Sequence, residues 1–197
     1  MKTFHSETGV KLTTKEGHTI NARKLVYASG YESIKYINKK IVDLKSTFAV
    51  CSEQEKNKEV PFKNKTMLWN TADPYLYLRT TADNRILIGG RDEKFYNTDK
   101  RDMVLHAKVK DLVKDFTELC PDITFKPEFS RCGTFGATKD GLPFIGEYAK
   151  LPNSYFASGF CGHGITFSLI AAEILKDLIF GKKNIHQQMF SSNRVYN

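Results

Sequence analysis

Three glycines within six residues near the C-terminal end, at positions 159, 162 and 164, mark the segment of this sequence with the clearest capacity for chemistry. They follow an apolar stretch at 154–158, which has the length and composition of a strand. An apolar run at helical spacing comes next and continues to Gly181, a residue suited to the end of a helix. Glycine permits positive φ and close approach of a ligand, and the free N–H groups of a first helical turn favour an anionic or electron-rich partner. The pattern predicts either a ligand-facing helix N-terminus or a buried helix with a glycine-rich entry loop.

The other chemically capable residues lack the spacing of a catalytic or metal-binding site. The histidines are scattered, and only His163 lies within a glycine-rich turn. The sequence contains no HExxH, GxSxG, phosphate-binding P-loop or GxGxxG motif. The cysteines are far apart and form no CxxC pair, which favours free thiols in a reducing cytoplasm over a disulfide framework or a zinc site. We therefore expect a cytoplasmic protein that holds no metal ion.

The net charge of +8 raises the question of nucleic-acid binding. The lysines between positions 35 and 65 are interleaved with aspartate and glutamate, and no basic run is followed by stacking aromatic residues. The sequence also contains no run of about 18 apolar residues and no apolar core of a signal peptide. These features predict a globular protein that neither binds nucleic acid nor crosses a membrane.

The N-terminal part of the chain predicts a second candidate position for a ligand. A hairpin at 10–14 and 18–22 precedes a continuous apolar strand at 24–28, which ends in Ser29 and Gly30. Such a run is typical of a parallel strand buried on both faces, and open α/β sheets bind ligands beyond the carboxyl ends of their strands. Gly30 is therefore either a neighbour of the ligand or a simple turn glycine.

From about 37 to 131 the pattern changes to short strands joined by tight turns, which predicts an antiparallel sheet. Strands are predicted at 41–51, 65–70, 75–79, 85–90 and 123–131, and a helix at 101–119 carries its apolar residues on one face. A loop with four glycines is predicted at 133–146, with Asp140 and Gly141 as its tight turn. Such a glycine-rich loop is expected to pass closely by another group.

Four segments together resemble the FAD-dependent oxidoreductases of the D-amino-acid oxidase superfamily, which includes glycine oxidase and monomeric sarcosine oxidase. They are 24–30, 85–90, 133–146 and 159–166, in the order and spacing of that family. The resemblance implies a mixed α+β fold: an antiparallel substrate domain with a covering helix, and the C-terminal remainder of a flavin-binding α/β domain that lacks its N-terminal βαβ unit. It divides the chain into a flavin-domain segment at 1–36, the substrate domain at 37–131 and a second flavin-domain segment at 132–197.

The resemblance also implies a function and a set of site residues. FAD is the implied cofactor, and the implied reaction is hydride transfer to flavin from an amine or amino-acid-like substrate. No residue is implied as catalytic, and the implied cofactor-binding residues are Ala28, Gly30, Gly133, Asp140, Gly159, Phe160, Gly162, His163, Gly164, Ile165 and Thr166. The missing dinucleotide-binding half is the expected partner, in cis or in trans, and the chain alone is expected to be inactive.

Three positions depart from the family pattern. Phe135 stands where glycine oxidases carry an arginine that grips the substrate carboxylate, so the choice between amino acids and other amines stays open. Cys132 lies one position from the cysteine through which sarcosine oxidases attach their flavin, which leaves covalent attachment open. Leu87 replaces the oxygen-activating lysine of sarcosine oxidases, so the choice between oxidase and dehydrogenase stays open.

The missing dinucleotide-binding unit also suggests an alternative hypothesis, in which the protein is not an enzyme. In this alternative, the flavoprotein scaffold persists as an interaction module without flavin chemistry. In either case the strand at 24–28 loses neighbouring strands, and an open sheet edge with exposed apolar residues favours self-association.

Overall fold

Alternating apolar residues build a three-stranded antiparallel sheet at the N-terminal end of the chain. In the computed structural model, which describes residues 2–37, 40–54 and 66–194, its strands are β1 (Lys2–Ser6), β2 (Gly9–Thr13) and β3 (Thr19–Ala22), in the order β1-β2-β3. Val10 and Leu12 lie on one face of β2 and are buried. The predicted hairpin is confirmed as β2 and β3. β1 is absent from the sequence prediction because its only large apolar residue, Phe4, gives no alternation.

A short strand and a 3₁₀ helix lead out of this sheet. The strand predicted at 24–28 is β4 (Leu25–Tyr27), and the 3₁₀ helix spans Gly30–Tyr36. The sequence predicts that this strand is buried on both faces. The prediction is wrong for one face, because Tyr27 is buried whereas Val26 on the opposite face is 41% exposed.

A five-stranded sheet covered by helix follows, as predicted. Its strands are β5 (Asp43–Ser52), β6 (Leu68–Trp69), β7 (Leu76–Thr80), β8 (Ile86–Lys94) and β9 (Pro127–Ala137), in the order β6-β7-β8-β5-β9. The pairs β6–β7, β7–β8 and β5–β8 are antiparallel. Helices α1 (Thr98–Met103) and α2 (Leu105–Leu119) follow β8. Alternate residues of β5 and β8 pack against α2 in a core that includes Phe48, Val50, Ile86, Ile88, Leu112 and Phe116.

The predicted single helix at 101–119 is wrong in two details. Helix α1 already begins at Thr98, because the Asn97 side chain accepts a hydrogen bond from the Lys100 N–H at 2.8 Å and caps it. The helix is then interrupted at Val104, whose N–H donates to the carbonyl of Asp102. The predicted strand at 65–70 is shorter in the structure, Leu68–Trp69, and Lys65 lies outside the described residues.

The predicted glycine-rich loop at 133–146 is also wrong in its extent. β9 continues to Ala137 and the next strand, β10 (Phe144–Glu147), begins seven residues later, so the loop covers only 138–143. Gly133 and Gly136 lie inside β9 and have no positive φ. At Gly136 the reason for glycine is packing, since an added Cβ would be 3.2 Å from Cγ2 of Val42.

The glycine turn at 159–164 connects the central strand of a second three-stranded sheet to a long helix. The strand is β11 (Ser154–Ser158), which pairs antiparallel with β10 and parallel with β4. The helix is α3 (Gly164–Ile179), after which Gly181 has a φ of +71°, and the short helix α4 is Gln187–Phe190. Ile145, Tyr155, Ala157, Ala171, Ile174, Leu175 and Phe190 form the core between this sheet and its helices. β4 is the last strand of this sheet among the described residues, which explains the exposure of Val26.

The chain packs as two compact units. The discontinuous unit comprises Met1–Asp43 and Phe135–Asn197, and the continuous unit comprises Leu44–Thr134. The finer division at 36 and 131 stays a prediction. In the described part of the chain, no helix is long and apolar enough to cross a membrane.

Candidate functional site

The turn after β11 depends on glycine at its first position. Gly159 has a φ of +76°, which residues with a Cβ adopt only with strain. A Cβ at this position would lie 2.8 Å from Cγ2 of Thr138 and 3.1 Å from Cγ1 of Val42. Both its conformation and its packing therefore require glycine.

Hydrogen bonds hold the rest of the turn against the loop that follows β9. The backbone N–H of Cys161 donates to the carbonyl of Gly136 at 3.2 Å, and the N–H of Thr138 donates to Sγ of Cys161 at 3.5 Å. The His163 N–H donates to the carbonyl of Phe160 at 3.0 Å. The turn is therefore fixed at both ends before α3 begins.

The first turn of α3 presents backbone donors at an open surface. Gly164, Ile165 and Thr166 have no helical carbonyl four residues earlier to accept from their N–H groups, and the His163 side chain at the N-cap makes no capping hydrogen bond. A Cβ on Gly164 would meet no atom of the described residues within 4 Å, and Ile165 is 93% exposed. These donors and the positive end of the helix dipole can accept an anionic or electron-rich group.

The end of β4 opens at the same edge of the sheet. Because β4 and β11 are parallel neighbours, the residues that follow them lie beyond adjacent carboxyl ends. Ala28 and Gly30 are exposed, and Gly30 has a φ of +59° with no atom of the described part of the chain within 4 Å of an added Cβ. We call Ala28, Gly30 and the first turn of α3 (164–166) the carboxyl-end site.

Two buried serines form hydrogen bonds that link the turn at Gly30 to the end of β11. The Ser33 hydroxyl donates to the carbonyl of Gly30 at 2.7 Å, and its oxygen lies 2.5 Å from the hydroxyl oxygen of Ser158. Because Ser33 has only one hydroxyl proton, Ser158 must be the donor in the second bond. The turn at Gly30 is thereby linked to the last residue of β11. Neither serine is identifiable from the sequence, because the bond joins residues 125 positions apart.

The remaining residues of the predicted site have other surroundings. Phe160 packs against the core under β11, and His163 makes an edge-on contact with the ring of Phe167 at 6.2 Å. Gly162 is exposed within the turn. Gly133 lies in a strand of the continuous unit, where an added Cβ would be 3.6 Å from Cγ2 of Thr47.

Asp140 is engaged in an ion pair that the sequence did not predict. Nε and one terminal nitrogen of Arg194 donate to its two carboxylate oxygens at 2.7 and 2.8 Å. The same guanidinium donates to the carbonyls of Leu142 and Pro143, and its Cζ atom lies 3.8 Å from the ring centroid of Phe144. Hydrogen bonding to Arg194 lowers the pKa of the Asp140 carboxyl below its ordinary value. In the structure, Asp140 therefore closes the loop at 138–143.

Cys132 has a partner within the continuous unit. Its thiol donates to Oδ1 of Asp102 at 3.1 Å, and Nε of Arg101 donates to the same oxygen at 2.7 Å. Burial, followed by the hydrogen bond to Asp102, raises the pKa of the Cys132 thiol. The protonated thiol is the favoured form, which is the form with low nucleophilicity.

Comparison with known proteins gives a family match. A family model described as FAD dependent oxidoreductase (DAO) matches residues 2–178 of the chain. Gamma-glutamylputrescine oxidoreductase of Escherichia coli (strain K12) is 32% identical to the chain over 105 residues, which are 53% of this chain and 23% of that protein.

Solved structures show the same fold. L-Proline dehydrogenase from P. horikoshii matches 97% of this chain and 52% of its own, with a TM-score of 0.76 and 20% identity. Glycine oxidase from Geobacillus kaustophilus matches 99% of this chain and 51% of its own, with a TM-score of 0.72 and 22% identity. The chain thus spans about half the length of these two proteins.

Proposed function

Because this chain belongs to the FAD-dependent oxidoreductase (DAO) family, we propose that it is part of an enzyme that oxidises an amine or amino-acid-like substrate at a C–N bond. FAD is the cofactor expected of this family, and when bound it supplies the acceptor for the hydride of the substrate. The observation that carries the proposal is the carboxyl-end site, where Gly30 and Gly164 both leave open space beyond adjacent parallel strands.

The residues of this site fit the cofactor. Ala28 and Gly30 are proposed to adjoin its diphosphate and ribose, where a side chain larger than a methyl group would obstruct approach. The N–H groups at 164–166 are proposed to face its pyrimidine ring. Fixed dipoles suit that position, because they stabilise negative charge on the reduced flavin without having to reorganise.

The other predicted site residues have supporting roles in this proposal. Gly159 allows the tight turn, Gly162 is exposed within it, Phe160 anchors it to the core, and His163 packs beside α3. Asp140 acts at a distance from any ligand, by holding the loop next to the turn through Arg194. Gly133 is proposed to act only through the backbone of β9.

The substrate class in the proposal rests on what similar proteins do. Their names describe the oxidation of amine or amino-acid compounds: gamma-glutamylputrescine, L-proline and glycine. A dinucleotide-binding segment in cis or in trans is proposed to complete the FAD site, so that the chain of 197 residues is inactive alone. Its free cysteines support a location in the cytoplasm.

Reconstitution tests the proposal. The chain is purified alone and after co-expression with the polypeptide encoded directly upstream or by the adjacent gene, and both samples are mixed with FAD and passed through gel filtration. We expect the chain alone to be colourless, and the co-expressed complex to be yellow and to lose its flavin absorbance anaerobically when an amine or amino acid is added.

The outcomes separate the parts of the proposal. A yellow complex that no amine or amino acid reduces would contradict the reaction but not the cofactor. Yellow colour in the chain alone would contradict the need for a second segment. A stable complex that takes up no FAD would instead support the non-catalytic interaction module.

A further inference from the structure

The C-terminal end of α3 carries large apolar side chains at its surface. Phe180 directly follows the helix and is 75% exposed, Ile185 is 91% exposed, and Met189 in α4 is 54% exposed. We call residues 180–189 the α3 tip. Single exposed apolar residues are ordinary on protein surfaces, but a group of them within one short segment marks a surface that contacts a partner.

Backbone hydrogen bonds give the first part of the α3 tip a defined conformation. The N–H of Lys182 donates to the carbonyl of Asp177 at 2.8 Å, and the N–H of Gly181 donates to the carbonyl of Leu178 at 3.1 Å. Together with the φ of +71° at Gly181, these bonds form the Schellman motif that ends many helices. The exposure of Phe180 is therefore a property of an ordered helix end.

Side chains fix the second part of the α3 tip to the rest of the protein. Nδ2 of Asn184 donates to Oδ2 of Asp177 at 2.7 Å, and Oδ1 of Asn184 accepts from the N–H of His186 at 3.0 Å. Further along the chain, Phe190 is buried in the core between β11 and its helices. The segment between these two anchors is thus held in place, and Ile185 stays exposed within it.

The charge on the α3 tip is positive. Lys182 and Lys183 are exposed, and neither forms an ion pair with a described residue. The sequence contains no aspartate or glutamate from 178 to 194, and the nearest acid before this range, Asp177, is hydrogen-bonded to Asn184. Such a surface is complementary to a partner that is both negatively charged and apolar.

The α3 tip is well separated from the carboxyl-end site. α3 has 16 residues and is therefore about 24 Å long, with the carboxyl-end site at its first turn and the tip after its last. The segment proposed to complete the FAD site is needed at the first turn. A partner at the tip can therefore bind without covering the FAD site.

An anionic lipid bilayer has both of the complementary properties. Apolar side chains can enter the boundary between headgroups and acyl chains, and neighbouring lysines are attracted to lipid phosphates while their apolar stems lie along the same boundary. Nucleic acid has the negative charge, but it binds through stacking on aromatic side chains, which the aliphatic Ile185 cannot provide. The combination of exposed aliphatic residues and lysines therefore favours lipid.

We propose that the α3 tip binds the surface of an anionic lipid bilayer, with Phe180 and Ile185 in the headgroup region and the two lysines in contact with lipid phosphates. In this arrangement the chain docks on the membrane and does not cross it. Membrane docking is independent of the proposed function, since it needs neither FAD nor a substrate. The cytoplasmic leaflet carries anionic lipids of this kind, which agrees with the location proposed above.

Vesicle flotation of the 197-residue chain tests this inference. The probes are vesicles of phosphatidylcholine alone and vesicles of equal parts of phosphatidylcholine and phosphatidylglycerol. The fraction of the chain that floats is measured against lipid concentration, which separates bound chain from aggregates. We expect binding to the mixed vesicles to be tighter by roughly tenfold or more, and to weaken as salt is added.

Two variants separate the apolar part of the interaction from the charged part. Ile185→Ser should weaken binding to the mixed vesicles by roughly fivefold or more, because an apolar side chain no longer enters the bilayer. Lys182→Gln combined with Lys183→Gln should weaken binding by roughly tenfold or more, because two contacts with lipid phosphates are lost.

The N-terminal sheet offers matched control variants at exposed positions. Ile20→Ser removes an exposed isoleucine of β3, and Lys11→Gln combined with Lys15→Gln lowers the net charge by the same amount as the variant in the tip. We expect each control to change vesicle binding by less than about twofold, because only long-range attraction is altered.

The outcomes decide whether the tip is the docking surface. Because Ile185 is 91% exposed, Ile185→Ser should keep the wild-type Tm, so that lost binding is not lost folding. Absence of binding, equal binding to both kinds of vesicle, or binding that Ile185→Ser leaves unchanged would overturn the inference. A chain that binds no vesicles and forms dimers that Ile185→Ser dissociates would also overturn it. Flotation needs no flavin, so a failure here is distinct from a failure of the complex to take up FAD.

Discussion

Two glycines of one turn should respond in opposite directions to the same substitution. Gly159→Ala places a Cβ at a φ of +76° and 2.8 Å from Thr138. The left-handed conformation costs about 1–2 kcal/mol, and overpacking against Thr138 and Val42 adds about 1–3 kcal/mol. Gly164→Ala places its Cβ in open space on a helical residue, where the loss of glycine flexibility stabilises by a few tenths to about 1 kcal/mol.

Thermal unfolding of the chain, followed by circular dichroism, measures this contrast. For a domain of about 100 residues, 1 kcal/mol shifts Tm by roughly 4–8 °C. We therefore expect Gly159→Ala to lower the Tm by roughly 8 °C or more, and Gly164→Ala to leave it unchanged or raise it by up to about 8 °C.

When FAD binding by the complete flavoprotein is measured, substitution of Gly164 should have a larger effect than substitution of Gly159. Gly164→Val fills the open space beside the backbone N–H groups at 164–166, and loss of contact with an electron-rich group there should weaken FAD binding by about tenfold or more. The contrast is refuted if Gly159→Ala keeps the wild-type Tm, or if Gly164→Ala destabilises the chain equally. Full FAD occupancy in Gly164→Val would show that this turn does not face the cofactor.

Three further substitutions test other parts of the structure. Arg194→Gln should lower the Tm near pH 7, and the Tm difference from the wild type should shrink as the pH falls below about 4. The reason is that the lowered pKa of Asp140 stabilises the fold above the unfolded pKa of this carboxyl group, and the stabilisation is lost when the carboxyl is protonated in the folded state. A Tm difference that stays constant with pH would exclude this ion pair. Arg91→Met should cost about 1–3 kcal/mol in urea unfolding, because it leaves the buried carboxylate of Asp115 without its guanidinium partner; an unchanged midpoint would contradict this. Val26→Lys should reduce the self-association predicted for the exposed edge at β4, and a wild-type chain that sediments as a monomer at all concentrations would refute that prediction.

The sequence predicts those parts of the fold whose residues carry a local signal. β11 is an apolar run, Gly159 follows it where the backbone has positive φ, and α3 continues at helical spacing until Gly181. The antiparallel sheet is predictable for the same reason, because short apolar strands alternate with turn residues. The resemblance to a known family adds the cofactor, which no local pattern supplies.

The secondary-structure predictions are wrong at positions where glycine or a polar residue can have more than one structural role. Gly133 and Gly136 indicate a loop by composition, but they lie within β9, and Gly136 is small because Val42 packs against it. Asn97 is a recognisable N-cap signal that the predicted helix start at 101 overlooked.

Contacts between residues that are far apart along the chain cannot be predicted from a single sequence. The hydrogen-bonded pair Arg194 and Asp140 is separated by 54 positions, and Arg194 carries no local feature that distinguishes it from the other basic residues.

The carboxyl-end site offers backbone N–H groups and no side chain at Gly164, and we propose that it faces the cofactor rather than the substrate. Substitution of Gly164 should therefore change kcat/KM by a similar factor for all substrates of the complete enzyme. A loss confined to one class of substrates would contradict this, because it would mean that Gly164 acts on the choice of substrate.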